Sequence, residues 1–216
     1  MSELEPPAFV SSWDDDAQDV EEDPTPHVTP HREILWAAEN GALDVVKTIV
    51  EADPLCVNIR DKDGYTPLHR ACYNNHVDVV DYLLSKGANI AAETEDKWQP
   101  LHSASRWNNY RCVSSLLQLG ADVNAASKGG QTPLHLAAAN SYARETLMLL
   151  LMHPCLKPDL RNASDETAAS IARRSGKYYY LFELAEPCIN EFKTVDLCRD
   201  LVKDAEGITL TLKQKE

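Results

Sequence analysis

Apolar residues along this 216-residue chain fall into short blocks with one recurring internal order. In the clearest block Leu68, Ala71 and Cys72 fit one helical face, and Val77, Val79, Val80, Leu83 and Leu84 fit a second. Polar punctuation brackets both. Asp63-Gly64 supplies a turn that needs positive φ, Thr66 is an N-cap, and Pro67 stands at a first helical position where its missing N–H costs nothing. Gly87 stops the second helix. The same order returns at a fixed distance: Thr66-Pro67-Leu68-His69, Gln99-Pro100-Leu101-His102 and Thr132-Pro133-Leu134-His135 lie 33 residues apart. A unit of that length holds a turn and two short helices and cannot bury its own apolar face. Neighbouring units must therefore stack into a solenoid with one continuous core.

The frame can be followed in both directions. The third unit carries Leu101, Ala104, Val113, Leu116 and Leu117, and the fourth Leu134, Ala137, Leu147, Leu150 and Leu151. From Thr132 to Thr167 the spacing grows to 35, which places extra residues in the turn near Ser141-Tyr142-Ala143 and the loop near His153-Pro154, where insertions cost little. Backwards, Ile34-Leu35-Trp36-Ala37-Ala38 and Leu43 to Val46 align at an offset of 34, without the TPLH start. The spacing predicts an acidic disordered leader over 1–30 and five units over about 31–62, 63–95, 96–128, 129–163 and 164–186. A capping helix and tail are expected over 187–216, where Phe192, Val195, Cys198, Leu201 and Val202 recur near helical spacing.

These motifs resemble the ankyrin repeat at nearly every diagnostic position of the unit. The resemblance covers roughly residues 31 to 186 and implies an all-α ankyrin-repeat solenoid of about five helix-turn-helix units with connecting β-hairpin-like loops. Trp107-Asn108-Asn109, the run Thr146 to Met152 and the stretch Arg161 to Arg174 narrow it towards small members of the family implicated in gene regulation. It implies an intracellular protein-protein interaction adaptor, a nuclear regulator of gene expression acting through a protein partner, resident in the nucleus. The alternative is a cytoplasmic scaffold, chaperone or inhibitor-type binding subunit with no transcriptional role.

Charge changes this picture in one place. Net charge is −13, and nine of those negative charges stand before residue 24 with no Lys or Arg among them. With Pro6, Pro7, Pro24 and Pro26 and few apolar residues, the leader cannot offset its ordering entropy. Trp13 followed by Asp14-Asp15-Asp16 mixes bulk with acidity as some activation segments do, although a solubilising tail is the plainer use. An acidic chain without a basic stripe lacks the phosphate-neutralising attraction of nucleic-acid binders, so no direct nucleic-acid binding is expected. No apolar run reaches the roughly 18 residues of a membrane helix, so no membrane association is expected. The six cysteines show no CxxC pair and read as reduced thiols in a reducing compartment.

Catalysis finds no constellation: there is no GxSxG, HExxH or phosphate-cradling glycine loop, and the chain is expected not to be an enzyme. No metal and no cofactor is expected. The repeated His69, His102 and His135 suit hydrogen bonds between units better than metal ligation, because a repeat holds them roughly 10 Å apart, whereas shared zinc coordination needs about 2 Å. Function is expected on the concave ankyrin face, at hairpin tips and outward positions of each first helix, where the frame does not dictate residue type. The candidate protein-binding residues are Tyr65, Tyr73, Asn74, Trp98, Arg106, Trp107, Gln131 and Asn140. Trp, Tyr and Arg dominate binding energy at protein interfaces, and five of the eight are of those types. Lys97 and Gln99, which flank Trp98, replace the usual turn Gly and cap Thr, the pattern of a site where binding overrides local stability. A monomer is expected.

Overall fold

The computed structural model describes residues 29–175 and 178–185. The leader before residue 29 and the expected capping helix after residue 185 lie outside the described residues. Among the described residues these α-helices follow in order: α1 (Pro30–Glu39), α2 (Leu43–Ala52), α3 (Pro67–Tyr73), α4 (Val77–Ser85), α5 (Pro100–Arg106), α6 (Tyr110–Gln118), α7 (Pro133–Ala139), α8 (Arg144–Leu151) and α9 (Ala168–Ser175). A 3-10 turn spans Pro54–Asn58, and residues 180–185 are helical. Among the described residues there is no strand, only an isolated antiparallel bridge from Arg161 to Thr167. The chain is the all-helical solenoid that the 33-residue period requires.

The helices form two layers. α1, α3, α5, α7 and α9 touch in succession, as do α2, α4, α6 and α8. Between them runs one core of buried residues from Ile34 to Phe182, with Leu68, Leu101 and Leu134 at its centre, each 0–2 % exposed. Ala71, Ala104 and Ala137 are fully buried among the first-layer helices, where a small side chain lets the backbones approach.

Local chemistry sets each start. Thr66 and Thr132 cap α3 and α7 by accepting the backbone N–H of His69 and His135. Each histidine answers with Nδ1, which accepts the backbone N–H of Thr66 or Thr132. At α5 the histidine half is kept, with His102 Nδ1 accepting the Gln99 N–H. The first unit, without the TPLH sequence, has a start signal of its own. Thr29 caps α1 through the Arg32 N–H, and Pro30 occupies the first turn. That Thr-Pro pair lies ahead of the repeat frame, because α1 is three residues longer than α3.

Between the helix pairs the chain makes hairpin-like loops. Thr94 N–H to Trp98 O and Ser127 N–H to Gln131 O close two of them, and Glu95 N–H to Asp63 O and Lys128 N–H to Asp96 O tie each loop to the one before. Gly64 and Gly130 turn them at φ 84° and 68°, and Lys97 adopts φ 58° at the same register. The positive-φ turn is thus kept with a residue that carries a Cβ, a cost of roughly 1 kcal/mol. Lys97→Gly is expected to raise stability by about 0.5 kcal/mol, since the relieved strain is partly offset by the freer unfolded chain. Thermal melting that shows a clear fall in Tm would contradict this account of the turn.

Cys56, Cys72 and Cys112 are buried free thiols, and burial pushes the Cys72 thiol well up from its ordinary value, with Cys112 adding to it. Cys155 departs from the expectation of six reduced cysteines and is disulfide-bonded. It stands in the half-buried loop after α8, whereas Cys72 and Cys112 lie on the buried faces of α3 and α6 and Cys56 in the buried 3-10 turn.

Candidate functional site in the first-helix layer

The stack places the eight candidate residues in register rows. Tyr65, Trp98 and Gln131 stand just before α3, α5 and α7, whereas Tyr73, Arg106, Asn74, Trp107 and Asn140 stand at or just past the ends of those helices. A seven-residue helix rises about 10 Å, so the two groups sit at opposite ends of the layer. The structure does not bring all five aromatic and arginine residues into a single contact cluster.

The hairpin-end group leans on the histidine ladder. Tyr65 meets the His69 ring edge-on at 5.6 Å, and Trp98 lies 6.2 Å from the His102 ring. Nδ1 of His69 accepts the Thr66 N–H, so Nε2 carries the proton and donates to the Trp98 carbonyl at 2.9 Å. His102 repeats this to Gln131 O and His135 to Glu166 O, both at 3.1 Å. Each imidazole thereby ties its own helix start to the next unit's loop. Burial pulls His69 down to about 4 and lowers His102 and His135 as well, against backbone hydrogen bonds that pull the other way.

At the other end Tyr73 and Trp107 meet edge-on at 5.0 Å, and the Arg106 guanidinium lies 5.9 Å from the Trp107 ring. All three are half-buried. Register explains how Trp107 comes to be there. Its equivalents Asn74 and Asn140 are seam residues, whose side-chain amides donate to Glu39 O and Arg106 O of the preceding unit at 2.8 Å. Trp107 stands at that register in the third unit. Two positions later Asn109, at the register of His76, which donates to Glu39 O at 2.9 Å, bonds the preceding unit by donating to Cys72 O at 2.8 Å and Tyr73 O at 2.7 Å. The Trp107 ring lies beside Tyr73 and Arg106. Asn74 and Asn140 are correspondingly explained by stacking.

Arg70 stands outside the eight candidates. Its guanidinium donates to Asp61 at 2.7 Å and to Glu39 at 3.5 Å, and lies 5.3 Å from the Tyr65 ring. Asp61 Oδ1 also accepts the N–H groups of Asp63 and Tyr65, so a single ion-paired network holds the second loop and joins units one and two. The signal was an arginine replaced by Ser103 and Leu136 in the next units. Arg106 has no such partner: the ion pairs among the described residues involve Arg70, Arg161 and Arg174.

Two family models for ankyrin repeats match, one of three copies over residues 34–127 and one of many copies over residues 116–172. The chain belongs to the ankyrin-repeat family. It is similar to "Ankyrin repeat domain-containing protein 49" of Bos taurus, at 62% identity over 74% of this chain and 68% of that protein. The Homo sapiens protein of the same name is 60% identical over 74% of this chain and 67% of its own length, and the Drosophila melanogaster one 55% over 82% and 83%. Ankyrin repeats act as protein-protein interaction modules, and no catalytic family is indicated. No helix among the described residues is long and apolar enough to cross a membrane.

Proposed function

We propose that this ankyrin-repeat protein is an adaptor that captures a protein partner on the concave side of the first-helix layer, with Tyr73, Arg106 and Trp107 at the centre of the contact and Tyr65 and Trp98 as a second anchor about one helix length away. The observation that carries this reading is the contact of Trp107 with Tyr73 and Arg106 across two adjacent units. A Trp-Tyr-Arg cluster left half-open on adjacent units has the composition of a binding hot spot, where truncating a central residue costs about 2 kcal/mol or more. Gln131 extends the hairpin-end row, and Asn74 and Asn140 border the contact through their seam bonds. The protein acts as a monomer in this reading.

The partner belongs to gene regulation and the protein resides in the nucleus. Trp107-Asn108-Asn109, Thr146 to Met152 and Arg161 to Arg174 support this, because they resemble fetal globin-inducing factor, a small vertebrate ankyrin-repeat protein implicated in gene regulation. Replacing Trp98 and Arg106 together with Ala, one residue from each group, should leave circular dichroism and melting temperature close to wild type. Partner capture, read by quantitative affinity purification and mass spectrometry, should weaken at least about tenfold, the equivalent of 1.4 kcal/mol. A folded double mutant that retains its partners would overturn the assignment, and cytoplasmic retention of the tagged protein on imaging would overturn the nuclear part.

A further inference from the structure

We propose that the protein partner is read through an acidic segment, whose carboxylates pair with Arg106 and Arg111 across the turns that join the helices of units two and three. The proposal rests on the reading of this end of the stack as a partner surface and adds the partner's chemistry.

Register is the first ground. The second residues of α2, α4 and α8 are Asp44, Asp78 and Glu145, acids that the positive field at the start of a helix favours. In α6 that place holds Arg111, and no acid stands in the first turn. A cation there opposes the same field, so local stability does not account for it, and a departure of that kind belongs to a surface kept for binding. Arg106 is a second cation peculiar to unit three. Tyr73 and Ala139 hold its register in units two and four.

Charge and geometry are the second. Neither arginine has an ion pair among the described residues, and the nearby acids are otherwise engaged: Glu39 with Arg70, and Glu145 with the Asn108 amide at 3.4 Å. Each guanidinium instead lies near a ring of its own unit, Arg106 5.9 Å from Trp107 and Arg111 6.0 Å from Tyr110. Arginine offers its planar fork to a carboxylate two bonds at a time, and its plane also suits a place beside a ring. Arg111 is exposed and lines a cleft of about 240 Å³ with Gly41, Asn75, His76 and Asp78. The Trp107 ring beside Arg106 meets Tyr73, so both cations border one turn of unit two, residues 73–76. Asp78 is the one acid lining the cleft. It repels an incoming carboxylate and so confines it to the Arg111 side.

The test pans a random dodecapeptide display library against the full chain and measures the best-selected peptide, fluorescently labelled, by anisotropy. Selected peptides should hold at least about twice the Asp and Glu content of the unselected library. Arg111→Glu restores the acid of the other units, so its melting temperature should hold or rise while its affinity for the peptide falls at least about tenfold. Asp78→Asn should tighten binding about twofold, and about 0.5 M NaCl should weaken it. Selected peptides without an acidic excess, or equal binding by folded Arg111→Glu, overturn the proposal. Displacement of the peptide by inorganic phosphate as completely as by unlabelled peptide at the same concentration overturns it too, since any small anion would then suffice. Failure here is separable from failure of the adaptor reading. Loss of partner capture by the Trp98 and Arg106 variant, with no acidic excess among selected peptides, would keep the adaptor site and remove its acidic partner, whereas retained capture with no acidic excess would remove both.

Discussion

Acidification from pH 6.5 to 4 is expected to unfold this protein steeply, through the histidines that join its units. In the fold, Nδ1 of His69 and of His135 accepts a backbone N–H and a threonine hydroxyl lies within 3 Å, while Nε2 donates to the next unit. A second proton would have to enter on Nδ1, facing an N–H donor. Their folded-state affinity for protons is therefore below that of the unfolded chain, to about 4 against 6.5 for His69 and lower in the same direction for His102 and His135. The sign follows from linkage: the unfolded state binds more protons, so the contribution is fully present above pH 6.5 and is lost as pH falls through the folded values. For the fully buried His69 alone it amounts to about 3 kcal/mol, against a usual total of about 5–15 kcal/mol for a folded domain. Urea melts at half-unit pH steps should show a plateau above pH 6.5 and a fall below it. His69→Asn should reduce stability at pH 7.5 and flatten the fall. An equal pH slope in wild type and variant would show that acid acts elsewhere.

Leu101→Ala is the second large effect, a loss of about 2–5 kcal/mol. Leu101 is 0 % exposed in α5, the middle helix of the first layer, which packs on α3, α6 and α7. A cavity there removes contacts on both sides, and in a one-dimensional stack the terms that fail are those between neighbours. Hydrogen exchange should therefore accelerate in α3 and α7 as well as in α5. Acceleration confined to residues 96–128 would contradict a shared core, whatever the size of the loss in stability.

The two effects differ in what made them visible. Leu101 announces itself in the sequence, because its place in a motif repeated every 33 residues already says that it is buried between equivalent units. The same holds for the Thr-Pro starts of α3 and α7, the glycine turns and the positive φ of Lys97, each of which depends on residues a few places away. The role of the histidines as links between units was also legible from their repetition. Their shifted proton affinity was not, since it depends on how completely the next unit's loop covers each ring.

The architecture and the set of positions free of the repeat frame follow from local chemistry read at a fixed period, and both were legible along the chain. Only the tertiary structure divided those positions by use. It drew Asn74, Asn109 and Asn140 into the seams, and placed Arg70 between Asp61 and Glu39 while setting Arg106 beside an indole. It separated Tyr65 and Trp98 from Tyr73 and Trp107 by a helix length. The physical reason is that a repeat frame fixes the register of neighbouring units. Which side chains touch across the 29 to 38 residues that separate hydrogen-bond partners depends on how the helices stack and on which carbonyls each seam leaves to be satisfied.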